Sequence, residues 1–503
     1  MTPPVAVDVV IIGAGAGGGA VAEGLLPLVR DGLSVLLLER GPRITPHQLT
    51  TNEADMVALL YHRQGAFLTD DGSMSLAMGR GVGGSSLVHG GIVAVPSQGA
   101  IDAWRVPGLQ FADLERRALG LAARMDRAFL APEAINENNR LFAEGAGRLG
   151  LQPVQLPISA RGCRGAARCH LGCPNGAPLG TVRRQLPEVE AAGVRVVPHA
   201  DVLRITPRRV HLRVRASADD VGAWPEGDYV VDAPVIVLAA GAIETPALLL
   251  RSGFGATHRQ VGRRFTCHPS QLIVAEHPRV ITSDVGHPTS YQIDRGADAG
   301  FVLEPTFATP MVAAAQLTGF GPAHAQMMRA FPRLQMIRAI ARDAATPDNR
   351  VTITRDGAAV VHYEPSASVR RALVAAQRTA ARVVFAAGAV RVHLPAAHPP
   401  LLDRRAIDHI DTLVRDELQL PGRVSLWASH LMGGAAMGRD TSDSVTDAAG
   451  RVHHTPWLRV ADASLIPDGL DTAPSLTVMA LADRVAEAIR ADLGSLRPLA
   501  RHQ

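Results

Sequence analysis

The stretch VDVVIIGAGAGGGAVAEGLLPLVRDGLSVLLLERG, residues 7–41, constrains the fold more than any other part of the chain. An apolar strand runs into a glycine turn, then a helix with small residues on its sheet-facing side, then a second strand ending in Glu39. That is a βαβ unit. Gly13, Gly15 and Gly18 fit G-x-G-x-x-G: the first permits the tight turn, the second lets backbone approach a pyrophosphate, and the third lets helix and strand pack closely. Glu39, with Arg40 beside it, stands at the end of the second strand, where a carboxylate accepts hydrogen bonds from an adenosine ribose. The competing reading is a glycine-rich structural turn. With strand, helix and terminal Glu in register, dinucleotide binding is the expectation.

A second glycine block, MGRGVGGSSLVHGG at 78–91, decides between dinucleotides. Gly79, Gly83 and Gly84 offer bare amides, with Ser85 and His89 interleaved. A nicotinamide enzyme has no evident use for a second phosphate- or ring-hugging loop, whereas FAD, wedged between domains along its length, does. Residues 100–160 turn helical and polar, 194–215 alternate like strands, and APVIVLAAGAIETPALLLRSG returns to the first sheet. From 270 to 424 strand-like pieces mix with the helix SVRRALVAAQRTAARVVFAAG, the texture of a substrate domain, and HLPAAHPPLLDRR reads as a surface connection or a lid.

Bulk properties narrow the class. At 503 residues the chain exceeds what one core supports, so two domains are expected. No apolar run is long enough to span a bilayer and the start lacks a signal-peptide pattern, so a cytoplasmic protein without a transmembrane segment is expected. Net charge is only +4, with basic residues scattered among acidic ones, which argues against nucleic acid. All 51 basic residues are arginine. Without lysine there is no Schiff-base, P-loop or lysine-nucleophile chemistry.

Taken together these segments resemble the glucose-methanol-choline (GMC) family of flavoenzymes. GRGVGGSSLV resembles its first flavin signature, in a form similar to bacterial cholesterol oxidases, and GAIETPALLLRSG its second; HLMGGAAMG, SVTDAAGRV, LRVADASLIP and APSLTVMALADRVAEAI follow the family's order at the C-terminal end. The resemblance implies a doubly wound, Rossmann-type FAD-binding α/β domain (1–100, 190–269 and 425–503) and an α+β substrate domain of antiparallel sheet and helices (101–189 and 270–424). It puts His430 at the family's catalytic histidine position, and an imidazole is well suited to take a hydroxyl proton at neutral pH while hydride leaves carbon for the flavin. It also implies flavin contacts at Asp462, Ala463, Pro474, Thr477 and the backbone of Val202. His89 sits where the family often has Asn.

One departure matters. The family usually has Asn or His before the proline of the last motif, and this chain has Ala473. Thr472, Ser475 or Asp471 would then supply the missing polar group, or the site runs with one. The expected function is oxidation of a CH–OH group of a small-molecule alcohol, of hydrophobic, terpenoid- or steroid-like type given the Ala, Val, Leu and Met of the middle region. The alternative is a flavin-retaining lyase or decarboxylase. No C-x-x-C-H haem attachment is present, and oxygen, a quinone and a redox protein all stay open as electron acceptor.

Cys163, Cys169 and Cys173 crowd into GCRGAARCHLGC. Three thiolates suit a [3Fe-4S] cluster, and the spacing resembles the loop of iron-sulfur sugar dehydrogenases of the same superfamily. Packed free cysteines, a disulfide, or zinc with His170 as fourth ligand are the other readings.

Overall fold

The computed structural model describes residues 5–177, 180–215, 220–400 and 402–500. Two sheets organise it. The first has five parallel strands in the order Leu458–Val460, Val235–Leu238, Val9–Ile12, Val35–Leu38, Arg195–Val197. Val9–Ile12 and Val35–Leu38 are buried at every position, as the strands of a parallel sheet covered on both faces must be. The helices Ala16–Gly24 and Ser475–Ala500 pack on each other beside it. An antiparallel meander of Ala200–Thr206, Arg209–Val214 and Gly227–Asp232 extends from the same unit.

The glycines of the first turn do what their spacing predicts. Gly13 has φ +106°, open to glycine at little cost. A Cβ on Gly18 would lie 1.9 Å from the Gly13 carbonyl oxygen, so only a bare backbone lets the helix begin this close to the strand.

The second sheet is mostly antiparallel and runs Leu402–Asp403, Arg391–His393, Ser270–Glu276, Leu334–Ala341, Phe301–Pro305, Tyr291–Asp294, Val154–Gln155. The helix Ala367–Ala386 covers one face. Ser366 caps it by accepting from the Val369 amide, and Val369, Leu373, Ala376, Ala380 and Val383 form its buried stripe at helical spacing. The opposite face, carrying Leu272 and Arg338, turns toward the nucleotide-type unit. Two short strands, Met74–Leu76 and Leu426–Ala428, come from segments that also feed the first unit, yet they pair with each other and Trp427 pairs with Ser270 of the second sheet. Among the described residues no helix is long and apolar enough to cross a membrane.

Gly18→Ala is expected to lower the melting temperature sharply. Gly147→Ala, inside helix Glu137–Arg148 with no atom within 4 Å of the added methyl, is expected to be neutral or to stabilise by up to about 1 kcal/mol. Thermal denaturation of the two variants side by side checks this.

Candidate active site

A cavity of about 1000 Å³ runs from the carboxyl ends of the parallel strands, past the 79–91 loop, to the inner face of the second sheet. At its first end Gly13, Gly15, Glu39, Arg40 and Val202 line the wall. Glu39 is clamped: its Oε2 accepts from the Ala14 amide at 3.1 Å and its Oε1 from the Gly41 amide at 2.7 Å. Burial pushes its carboxyl up and those amides oppose the shift. Arg40 pairs with Glu244 at 3.1 Å and bonds the His62 ring at 3.1 Å.

The two glycine loops meet across the cavity. The Gly83 amide donates to the Ala14 carbonyl at 3.0 Å. A Cβ on Gly84 would fall 2.8 Å from the Gly15 Cα, while one on Gly15 would still clear every protein atom by 3.8 Å. Ser85 Oγ accepts from the Gly79 amide at 3.0 Å, fixing the start of the loop. This is a cradle of bare peptide, and with the Glu39 carboxylate at its end it fits an FAD, whose pyrophosphate wants amide donors and whose ribose wants an acceptor. Gly18 and Gly83 stand behind the wall as packing glycines.

At the other end His430 follows strand Leu426–Ala428. The next two residues, Leu431–Met432, pair antiparallel with Thr266–Cys267 in the register Cys267 to Leu431. That register sets His268 opposite His430. Their Nδ1 atoms are 3.0 Å apart and the rings meet edge to face. His268 Nε2 lies 2.9 Å from the Leu470 carbonyl oxygen. A carbonyl only accepts, so Nε2 of His268 carries its proton and its Nδ1 is bare. His430 then donates through Nδ1–H and presents a bare Nε2 to the cavity. Burial brings the His268 pKa down to about 4 and holds His430 well below 6.5, with the His268 ring and Arg338 adding to the effect. Both rings are neutral at physiological pH, the form a general base needs. His268 carries no motif of its own, and its importance is visible only once the strand register is known.

The other expected residues divide. Ala463, Ala473, Pro474 and Ser475 line the cavity near His430. Thr472 and Thr477 do not: both hydroxyls are buried and, among the described residues, have no hydrogen-bond partner. Thr472 is thus not among the residues that the structure brings to the cavity wall beside Ala473. Asp471 accepts from the Ser97 amide at 3.2 Å. Asp462 reaches the wall, but its carboxylate is committed to Gly241, Thr245 and Ser464 donors at 2.6–2.9 Å. It positions the turn rather than offering a free oxygen. His89 lines the cavity with Nε2 sealed.

The structure lends the expected iron-sulfur cluster no support. Cys163 is exposed, Cys173 half-buried and Cys169 buried, and among the described residues no three metal-ligating side chains gather. Burial pushes the Cys169 thiol up to about 12. The amides of Gly165 and Ala177 donate to the Cys163 and Cys173 sulfurs.

Residues 57–270 and 345–482 each match the GMC oxidoreductase family. A protein of Mycobacterium tuberculosis named as a GMC-type oxidoreductase is 34% identical over 492 residues, 95% of this chain and 75% of the relative. The chain belongs to the GMC oxidoreductase family. A long-chain-alcohol oxidase of Arabidopsis thaliana is 24% identical over 94% of this GMC oxidoreductase and 66% of the plant protein. Paromamine 6'-oxidase of Streptomyces fradiae is 28% identical over 97% and 92% of the two chains. Among solved structures, pyridoxine 4-oxidase from Mesorbium loti superposes with a TM-score of 0.69 at 19% identity, covering 96% of this chain and 99% of that one. An Aspergillus oryzae formate oxidase variant gives 0.70 at 16%, covering 99% and 100%. The fold is that of the GMC flavin oxidoreductases, a Rossmann-type unit with a substrate domain.

Gly15→Ala is expected to leave the protein folded, since its methyl meets no protein atom closer than 3.8 Å, but to lower bound flavin by obstructing the cradle. The ratio of visible flavin absorbance to protein, read beside far-UV circular dichroism, tests this.

Proposed function

We propose that this GMC oxidoreductase oxidises the CH–OH group of an alcohol to a carbonyl, with His430 as general base. One observation carries the reading: the Leu470–His268–His430 chain fixes one tautomer and leaves a neutral imidazole lone pair in the cavity that the glycine cradle opens into. FAD, held by Gly13, Gly15, Glu39, the 79–85 loop and the backbone near Ala463 and Pro474, would supply the hydride acceptor. His430 Nε2 takes the hydroxyl proton. His268 Nδ1 holds the His430 ring by accepting its Nδ1–H, so the lone pair does not rotate out of line, and the Leu470 carbonyl holds His268 in turn. Parallel strands with the glycine loops bind the cofactor (1–100, 190–269 and 425–503), and the large sheet with its helix forms the substrate side (101–189 and 270–424). Met74–Leu76 and Leu426–Ala428 stitch the two together.

The cavity wall on the substrate side is apolar over Leu272, Phe307, Met311, Val312 and Val424. That supports a substrate with a hydrophobic body, as do the relatives named long-chain-alcohol oxidases.

Anaerobic mixing of the flavin-loaded protein with a panel of primary and secondary alcohols is expected to bleach the flavin. Consumption of a substrate without bleaching would replace this reading with the lyase or decarboxylase one. His430→Ala is expected to slow flavin reduction by roughly 10²- to 10⁴-fold. His268→Phe is expected to lower kcat with little change in KM, because it removes the acceptor that orients the base. Because the His430 pKa is depressed, the neutral base persists below 6.5. kcat/KM should therefore stay level as pH is lowered through that value and fall only at more acid pH, which a pH–rate profile checks.

A further inference from the structure

Arg338 has no part in the proposed chemistry, yet it lines the substrate side of the cavity. It stands in the middle of the strand Leu334–Ala341, opposite Leu272 on one side and Glu304 on the other. Residues directly opposite one another in antiparallel strands share a face. Trp427 joins that face because it pairs with Ser270, two residues before Leu272. Leu272, Arg338 and Trp427 all line the cavity, so this face is its wall. The Arg338 guanidinium carbon lies 5.7 Å from the centre of the Trp427 ring, within cation–π range.

Most of this guanidinium goes unused. It carries five N–H donors, and among the described residues it makes one hydrogen bond, from Nη2 to the Glu304 carboxylate. Nε is buried without a partner, and Nη1 bonds no protein atom. The side chain is only 8% exposed and lines the cavity, while Glu304 stands behind it, off the wall. What Arg338 still exposes is therefore cavity surface. Donors left unpaired in such a place are costly, and a ligand oxygen would satisfy them. Glu304 already balances the charge, so a carboxylate ligand would leave one negative charge in excess at a desolvated site, and a neutral oxygen would not. His268, which holds His430 at 3.0 Å, precedes Leu272 by four residues, a span of at most about 14 Å. A substrate with its carbinol at His430 thus meets Arg338 further along its body.

We propose that Arg338 is a substrate-binding residue, and that the substrate is an apolar alcohol carrying a neutral acceptor oxygen, a keto or ether group, remote from the reacting carbinol. The proposal rests on the alcohol-oxidation reading only for which end of the substrate reacts. A site built to donate a hydrogen bond discriminates against an analogue without the acceptor, since the buried donor is then left unpaired.

The test uses ligands without a hydroxyl, so that binding is read apart from turnover. Cyclohexanone and methylenecyclohexane share one shape and differ in presenting an oxygen or a CH2 group. Each is titrated calorimetrically into flavin-loaded wild type, Arg338→Met and the double variant Arg338→Met/Glu304→Gln, which leaves no carboxylate buried alone. Both variants are expected to weaken cyclohexanone about tenfold and to change methylenecyclohexane by less than about twofold. Circular dichroism and flavin content confirm that each variant folds. An equal loss for both ligands, or no loss for cyclohexanone, overturns the proposal. In turnover, undecan-1-ols with a keto group moved along the chain should show a maximum in kcat/KM away from the carbinol in wild type and none in the double variant. A flat series in wild type, or a maximum beside the carbinol, also overturns it. Selective loss of cyclohexanone in a protein whose flavin no alcohol bleaches would instead sink the oxidation reading and leave the acceptor-binding site standing.

Discussion

Two residue pairs, Thr266 with Met432 and Cys267 with Leu431, hold the centre of this molecule together. The ladder is short, but it lies where the two sheets face each other, and its register sets His268 against His430. A slip of one residue would turn every side chain on that strand to the other face. Glycine makes the approach tight enough: Gly433 has φ +78°, and a Cβ there would fall 2.0 Å from the Arg264 carbonyl oxygen. The Gly262 amide donates to the Gly434 carbonyl at 2.7 Å, extending the contact. Strand pairing, backbone without side chains and imidazole orientation are thus one constraint seen at three scales.

Much of this was legible in the amino-acid order because it is local. The first βαβ unit, the two glycine loops, the strand of Val235–Leu238 feeding a helix at Gly241 and the amphipathic helix Ala367–Ala386 all carry their periodicity on their face. His430 could be singled out because a motif surrounds it. What could not be read depends on pairing between distant segments. His268 has no motif, and its partner is 162 residues away. Met74–Leu76 is three residues long and finds its mate far along the chain. Thr472 adjoins Ala473 in sequence, yet the sequence does not tell that Ala473 lines the cavity and Thr472 does not. In the cysteine loop attention goes to the three thiols, whereas Ala167, Arg168, His170 and Leu171 are the residues that line the cavity.

The site keeps its imidazoles uncharged by a common device. Desolvation is the largest cause at His89, His170, His268 and His430, and Arg338 adds positive potential at the last three. Arg338 is itself buried and paired with Glu304 across neighbouring strands. The second sheet thus carries this compensated charge pair on the face that also holds Leu272. Such a pair is costly to bury and is tolerated only with its partner in place, so the position of this positive charge relative to the histidines is fixed by strand register as firmly as the rings themselves.

The strand Leu458–Val460 closes one edge of the parallel sheet against Val235–Leu238, which is made far earlier in the chain. On the ribosome the emerging polypeptide must therefore carry an open hydrophobic edge through the synthesis of the second sheet's long central strands, Ser270–Glu276, Phe301–Pro305 and Leu334–Ala341. Until the late strand docks, that edge is a template for pairing with another molecule. Discontinuous architecture makes assembly of the cofactor groove one of the last events in the life of the nascent chain, and the interval before it the time at which a holding chaperone matters most.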